Sequence, residues 1–178
     1  MIPTQDAEGK WGYPMQNINQ EVLQRKADLG TSVHAAISSH VRDEFCVTSS
    51  RIDGYLTSYL NWEKAMDLHF RETETRLYNE LMSLTGCIDM MAGLGPAYPK
   101  YTIDFKCTVS PDPVKWPIQA ALYHFLATSN NLQVDKTVLF VQLDPKGEAP
   151  KVHEYEVTKS LTATALSFYN AYTYLTKK

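Results

Sequence analysis

Two short patterns in the middle of the chain carry the strongest chemical signal: Gly86-Cys87-Ile88-Asp89, followed by Ile103-Asp104-Phe105-Lys106. Residues two apart on a β-strand face the same side, so Asp104 and Lys106 project together if this stretch is extended. Asp89 falls on the preceding predicted strand, joined by a connection short enough for an antiparallel neighbour. Two carboxylates then meet at one end of a hairpin with an ammonium beside them. Hard oxygen ligands in that arrangement suit Mg2+ or Mn2+, which keep several waters and bind through one or two carboxylates plus phosphate. Such an ion polarises a phosphodiester and acidifies a bound water, while Lys106 orients or activates the attacking water. An isolated Asp-x-Lys is more often an exposed ion pair on a half-wet strand, so the surrounding residues decide.

Two further groups supply that context. Gln119 and Tyr123 stand one helical turn apart on one face, an amide and a phenol able to reach a phosphate or a flipped-out sugar. On an ordinary amphipathic helix the same pair would be a rim residue and a core residue. Upstream, Gly30-Thr31-Ser32-Val33-His34 places a histidine in the first turn of an expected helix, where a lone histidine is usually structural or solvated.

The elements that must hold these residues can be read from periodicity. Residues 1–17, with Pro3, Gly9, Gly12 and Pro14 around Trp11 and Tyr13, read as an irregular arm. Asn19 to Leu29 is helical; Gly30 is expected to end it, with Thr31 or Ser32 capping a second helix to about Val41. Asp53 to His69 repeats the helical rhythm. The character changes near Glu74, where Leu77, Tyr78, Leu81 and Met82 suggest a strand kinked near Asn79-Glu80. Cys87 to Met91 suggests another, ending at the turn Gly93-Leu94-Gly95-Pro96, and Tyr101 to Lys106 a third. Ile118 to Thr128 is a helix with Pro117 in its first turn. Strands over Thr137–Leu143 and Val152–Val157 follow. A closing helix over Thr158–Tyr174 should turn Leu161, Ala165, Phe168, Tyr169 and Tyr172 inward. The class is α/β: a central mixed sheet flanked by helices, with a mostly helical N-terminal part.

Length and composition agree. The 178 residues suit one domain spanning 1–178 that buries roughly 70% of the unfolded surface. Hydrophobic residues at 44% and charged residues at 21% exclude a disordered chain. No apolar run approaches the roughly 18 residues of a membrane span, and the polar first residues lack a secretory or mitochondrial pattern. The expectation is a cytoplasmic protein without a membrane partner. Cys46, Cys87 and Cys107 form no C-x-x-C pair, which argues against a zinc ribbon, an iron–sulfur cluster or a disulfide framework. A net charge of -3 disfavours gripping nucleic acid by bulk charge, but cations can cluster while acids hold metal.

The ordered set Gly30-Thr-Ser-Val-His34, Glu74, Gly86-x-x-Asp89, Asp104-x-Lys106 and Gln119-x-x-x-Tyr123 resembles the PD-(D/E)XK nuclease superfamily, in particular its RecB-type branch with small phage and mitochondrial-type exonucleases. The resemblance spans roughly residues 20 to 175 and implies a restriction-endonuclease-like core. It implies metal ligation of Mg2+ or Mn2+ by His34, Asp89, Asp104 and the Phe105 backbone carbonyl. It also implies Asp89, Asp104 and Lys106 as catalytic residues, with Gln119, Tyr123 and Glu74 touching substrate. Glu72 or Glu80 could take the place of Glu74, and Cys107 stands where many relatives have threonine. No iron–sulfur cluster is implied, because the cysteines of the CRISPR-associated relatives are absent. The implied activity is a divalent-metal-dependent DNA nuclease, an exonuclease acting on linear ends or single-stranded tails in recombination, repair or replication. A prokaryotic or phage origin and a recombination or annealing protein as partner would go with it; no oligomeric state is implied. Lys100, Lys115, Arg25 and Lys26 are candidates for holding the DNA backbone, and Trp116 and Tyr13 for stacking on an unpaired base. The alternative is a catalytically silent nuclease-like module for DNA binding or assembly. Retention of every carboxylate and the lysine counts against it. An interaction protein that needs no metal, built on the aromatic-rich helices, has only the acidic charge in its favour.

Overall fold

The computed structural model describes residues 4–5, 11–12, 20–45, 48–94 and 100–176. In chain order the elements are β1 (Thr4–Gln5), β2 (Trp11–Gly12), α1 (Gln20–Val41), α2 (Asp53–Met66), β3 (Leu68–Asn79), β4 (Leu84–Leu94), β5 (Lys100–Lys106), α3 (Lys115–Ser129), β6 (Val134–Gln142), β7 (Lys151–Glu156) and α4 (Lys159–Thr176). Strands β3 to β7 form one five-stranded sheet in sequence order. All neighbours are antiparallel except β5 and β6, which run parallel and are joined through α3. The fold is therefore α/β, with N-terminal helices and a mixed sheet flanked by helices.

Each face of the sheet has its own apolar layer. Under α1 and α2, Val33, Ile37, Tyr59 and Trp62 meet Met90, Ile103, Phe105 and Val141. Under α3 and α4, Trp116, Ala120 and Ala165 meet Val138 and Phe140, and Leu126 meets Ile88 and Met91. Ile103 and Phe105 thus face α1 and α2, and by the two-residue period of a strand Asp104 and Lys106 face α3. The Phe105 ring is met edge-on by Tyr59 at 5.3 Å and by Trp62 at 6.0 Å, which fixes the strand that carries the flanking charged residues.

Several expectations are corrected. Gly30 does not end a helix: α1 runs unbroken for 22 residues. A mid-helix glycine costs only about 1 kcal/mol against alanine, less than the packing of Val33, Ala36 and Ile37 returns. Neither Thr31 nor Ser32 starts a helix, and the Ser32 hydroxyl instead donates to the Asp28 carbonyl at 2.8 Å. α2 stops at Met66, where Asp67 adopts the left-handed conformation with φ 48°, so His69 belongs to β3. Leu81 and Met82 lie in the turn after β3, with Leu81 fully exposed. On α4, Ala165 is buried, but Phe168 and Tyr172 face outward. Trp116 is buried and stacks on Phe140 with centroids 5.3 Å apart, so it is not available to an unpaired base. The arm expected over residues 1–17 contains the short β1–β2 pair; its remainder, Tyr13 included, lies outside the described residues, as do Cys46, Gly95 and Pro96. Among the described residues no helix is long and apolar enough to cross a membrane.

Two glycines on α1 and α2 make the packing testable. A Cβ on Gly54 would come within 1.8 Å of the Pro145 carbonyl oxygen, so the start of α2 can rest on the β6–β7 turn only without a side chain. A Cβ on Gly30 would meet nothing within 4 Å. Gly54→Ala should therefore lower stability by about 1–3 kcal/mol or more, whereas Gly30→Ala should raise it by about 0.5–1 kcal/mol. Urea midpoints of the two variants moving in the same direction would contradict this packing.

Candidate metal centre where the central strands part

Pairing between β4 and β5 covers Ala92↔Tyr101, Met91↔Thr102 and Met90↔Ile103, and stops there. The next residue, Asp89, takes over with its side chain. Its Oδ2 accepts a hydrogen bond from the Phe105 backbone N–H at 2.8 Å, and its Oδ1 lies 3.3 Å from His34 Nδ1. The other ring nitrogen of His34, Nε2, lies 2.9 Å from the Phe105 carbonyl oxygen and donates to it when it carries the proton. Both backbone groups of Phe105 are thus held by side chains from β4 and α1. His34 sits mid-way along α1 rather than in a first turn, directly after the buried Val33.

Glu74 arrives from the edge strand. It lies between the register pairs Thr73↔Met90 and Thr75↔Ile88, which sets it opposite Asp89. Its φ is 55°, a left-handed conformation inside a strand that costs on the order of 1–3 kcal/mol for a residue with a side chain. Alternation on β4 slips at the same level. Cys87 and Asp89 open toward α1, yet Met90 joins the core on that same side, while Ile88 and Met91 join the opposite one. The distortion turns Glu74 and Asp89 toward His34. One ligand atom from each of His34, Glu74 and Asp89 lies within 4.8 Å of the other two, the one such group among the described residues. Cys87 Sγ–H donates to Glu74 Oε2 at 3.3 Å, and burial followed by the Glu74 contact pushes its thiol pKa up to about 11.

On the other face of β5, Asp104 is 2% exposed. Gln119 Nε2 donates to its Oδ1 at 2.9 Å and to Tyr123 Oη at 2.8 Å, and Gln119 Oε1 accepts from Lys106 Nζ at 3.0 Å. Lys106 Nζ is also 2.7 Å from Asp104 Oδ2, but off the direction of a proper hydrogen bond, so that buried oxygen lacks an aligned donor. The ammonium lies 5.1 Å from the centre of the Phe140 ring, a cation–π contact. Gly86 lies under the same helix: a Cβ there would stand 2.8 Å from Leu126 Cδ1, so α3 packs closely on β4 at this point, and at ordinary contact distance, 3.5 Å, from the Tyr123 ring.

The charges are unbalanced without a cation. Burial disfavours the charged Asp104 carboxylate and the Asp89 charge adds to this, so its pKa is raised despite Lys106 and His34. Burial also works against a charged His34, but Asp89, Asp104 and the Phe105 carbonyl together raise its pKa to about 9. Protons gather where the acceptors are in excess.

The donors fit a small divalent cation. Bonds of about 2.0–2.1 Å in octahedral coordination set neighbouring ligand atoms about 3 Å apart and opposite ones about 4.2 Å apart. The 2.9 Å between His34 Nε2 and the Phe105 oxygen, and the 4.8 Å bound on the His34, Glu74 and Asp89 atoms, are compatible with those spacings. Carboxylate, carbonyl and imidazole donors suit Mn2+ and Mg2+, with imidazole favouring Mn2+.

His34, Asp89 and the Phe105 carbonyl therefore lie together in space. Asp104 instead turns its carboxylate to Lys106 and Gln119, and Glu74, expected as a substrate contact, joins the converging group. Glu72 is engaged with Lys100, and Glu80 lies in the exposed turn after β3, so neither competes for that place. Of the suggested backbone cations, Lys100 is thus paired, Arg25 stands 3.5 Å from Glu21, Lys115 stands 3.7 Å from Asp112, and Lys26 is exposed on α1. Sequence reasoning missed the cleft beside the converging group, about 490 Å³, lined by Thr31, Ala35, Ser38, Ser39, Arg42 and Cys87 as well as by its three members. The spacing of His34, Ser38 and Arg42 at four-residue steps was the available signal.

No protein-family model matches the chain, and no curated protein matches it. Among solved structures, the crystal structure of a "putative exonuclease" from Eubacterium rectale is similar to it, with 11% identity over 88% of this chain and 84% of the other and a TM-score of 0.39. That is a distant likeness of chain trace.

The sign of the pH dependence follows from His34. Its folded pKa of about 9 lies above the unfolded value of 6.5, so its stabilisation is complete below 6.5 and is lost as pH rises through 9. The raised Asp104 adds a cost that also appears on the alkaline side of its ordinary value. In EDTA, the melting temperature should fall between pH 6.5 and 9.5 by an amount corresponding to about 3 kcal/mol at most. His34→Gln should flatten this slope; a melting temperature that rises with pH in the wild type would contradict it. His34→Ala should also weaken binding of Mn2+ more than of Mg2+ by calorimetry without DNA, and equal Mn2+ affinity in both proteins would remove His34 from the site.

Proposed function

We propose that this chain is a divalent-metal-dependent nuclease that hydrolyses phosphodiester bonds in DNA, working from linear ends. The observation that carries the reading is the convergence of His34, Glu74 and Asp89 beside the buried Asp104–Lys106–Gln119 line. In this reading His34, Glu74, Asp89 and the Phe105 carbonyl hold Mg2+ or Mn2+, and Asp104, with its unaligned buried oxygen, completes the negative field. A bound ion supplies Lewis acidity toward a phosphoryl oxygen and a water of lowered pKa.

The chain's own groups do the positioning. An ammonium has three N–H groups. Lys106 directs one to Gln119 and lies against Asp104 Oδ2 as an ion pair without an aligned hydrogen bond, which leaves N–H groups for a phosphate oxygen or the attacking water. Gln119 clamps this pair by accepting from Lys106 and donating to Asp104, and Tyr123 fixes the orientation of the amide. Ligation through the imidazole requires a neutral nitrogen, so His34 must give up the proton it holds toward Phe105 or Asp89, and loading releases protons. The choice of DNA ends rests on the motif order shared with RecB-type nucleases; the hydrolytic chemistry rests on the site.

End-labelled linear DNA and closed-circular DNA, each with Mg2+, Mn2+ or EDTA, test the reading. Linear DNA should be degraded with either metal, the closed circle spared, and all cleavage lost in EDTA. Cleavage in excess chelator would overturn the metal site, and opening of the circle would replace end-directed action by internal cutting. A folded protein that binds DNA and leaves both forms intact would instead be the silent module.

Asp104→Asn should abolish cleavage without unfolding the chain, and Lys106→Ala should slow it by about 10²-fold or more. Near-wild-type turnover in either folded variant would make the pair structural.

A further inference from the structure

The cleft that opens from the converging ligands has a wall that the metal does not account for. Along α1 it is lined by Thr31, His34, Ala35, Ser38 and Ser39, and just past the helix end by Arg42, whose N–H still donates to the Ser38 carbonyl at 3.1 Å; the steps of three or four keep them on one face. The only aliphatic side chain in this row is Ala35, and the others offer hydroxyls, an imidazole and a guanidinium. Ser38 is already engaged with Thr73 Oγ1 at 2.9 Å. Arg42 is exposed, and a single long contact of 3.4 Å to the Thr73 carbonyl leaves most of its donors free. Among the described residues it is the one lysine or arginine lining the cleft, whereas its acidic neighbours Asp43 and Glu44 do not line it. Glu74 and Asp89 make the opposite end acidic.

A cleft of about 490 Å³ falls in the range that encloses one small organic molecule, roughly 300–1,000 Å³, which is room for a nucleotide or two and not for a duplex. Arg42 is eight positions after His34 and continues the last turn of α1, so the two stand about 12 Å apart along the axis at 1.5 Å per residue. Phosphates along one strand are about 3.4 Å apart in axial rise when stacked and farther apart when extended. Arg42 therefore stands two to three phosphates from the metal-binding end.

Resting on the nuclease reading, we infer that the α1 wall of this cleft is the track for the sugar-phosphate backbone of a single DNA strand, with Arg42 holding a phosphate two to three nucleotides from the bond to be cut. Among the described residues the wall offers no apolar slot and no stacking ring, so the track reads charge and spacing and is indifferent to base identity. Its ligand is an unpaired strand, as at a frayed end or a single-stranded tail.

Binding and cleavage of a mixed-sequence single-stranded oligonucleotide test this. In EDTA, Arg42→Ala should bind about tenfold more weakly than wild type, the worth of one charge-assisted hydrogen bond. The slope of log K against log salt should become shallower by about 0.7, and Arg42→Lys should recover the slope. With Mn2+, replacing single phosphates by neutral methylphosphonates should reveal one position, two or three from the cut, that slows wild type about tenfold and leaves Arg42→Ala no slower than before. Equal binding by wild type and Arg42→Ala, or losses that simply add at every position, would overturn the track and leave the nuclease reading standing. A wild-type protein that neither binds nor cuts the oligonucleotide would overturn both. Melting curves of the variants exclude misfolding as the cause.

Discussion

The site depends on one hydrogen bond, from the Phe105 N–H to the Asp89 carboxylate at 2.8 Å. Had β4 and β5 continued to pair past Met90↔Ile103, the register would have set Asp89 opposite Asp104 and closed the sheet over the place where the ligands meet. The carboxylate instead supplies the acceptor that the neighbouring strand would have offered, so the sheet can open without orphaning a buried donor. His34 completes the exchange by taking the carbonyl of the same residue. One peptide segment is thereby satisfied by side chains, and the strands are free to part.

That solution leaves a surplus of acceptors. Glu74, Asp89 and Asp104 bring three carboxylates around His34 and Lys106, and Lys106 is engaged by Asp104 and Gln119. Burying carboxylates at such density is costly unless each is paired. The raised pKa values of His34 and Asp104 are two expressions of the same deficit of positive charge. The left-handed Glu74 adds backbone strain on the order of 1–3 kcal/mol. A purely structural arrangement would gain from losing these features, whereas a divalent cation would offset both the charge and the strain.

Much of this was legible in the sequence, for definite reasons. Period-two alternation put Asp104 beside Lys106, and one turn of helix put Gln119 beside Tyr123, because both spacings are properties of regular elements. The α/β order followed from strands and helices that are strongly periodic. What escaped depends on irregularity. The slip between Asp89 and Met90 and the positive φ of Glu74 leave no trace in hydrophobic patterning, so Glu74 could not be separated from Glu72 or Glu80. Gly30 misled because a local propensity was weighed without the buried stripe of Val33, Ala36 and Ile37 that overrides it. Phe168 and Tyr172 look like core residues on any helical wheel, and nothing local marks α4 as a helix with a single buried residue, Ala165.

The continuity of α1 is more than a detail of boundaries. Val33 and Ile37, each 1% exposed, anchor the helix in the core on Tyr59, Phe105 and their neighbours. His34 follows Val33 by one residue, so its position is set by the packing of the apolar stripe and not by a flexible loop. Phe105 belongs to the same apolar layer and offers its carbonyl to the same histidine. Helix and strand therefore approach each other through apolar contacts that leave little freedom to adjust, and the distance between a ring nitrogen and a carbonyl oxygen is fixed by the core beneath them. A break at Gly30 would have left a helix of half the length, about three turns shorter, to hold that distance. Burying side chains along one uninterrupted helix is what lets a single imidazole, far in sequence from the two aspartates, stand as a rigid wall of their site.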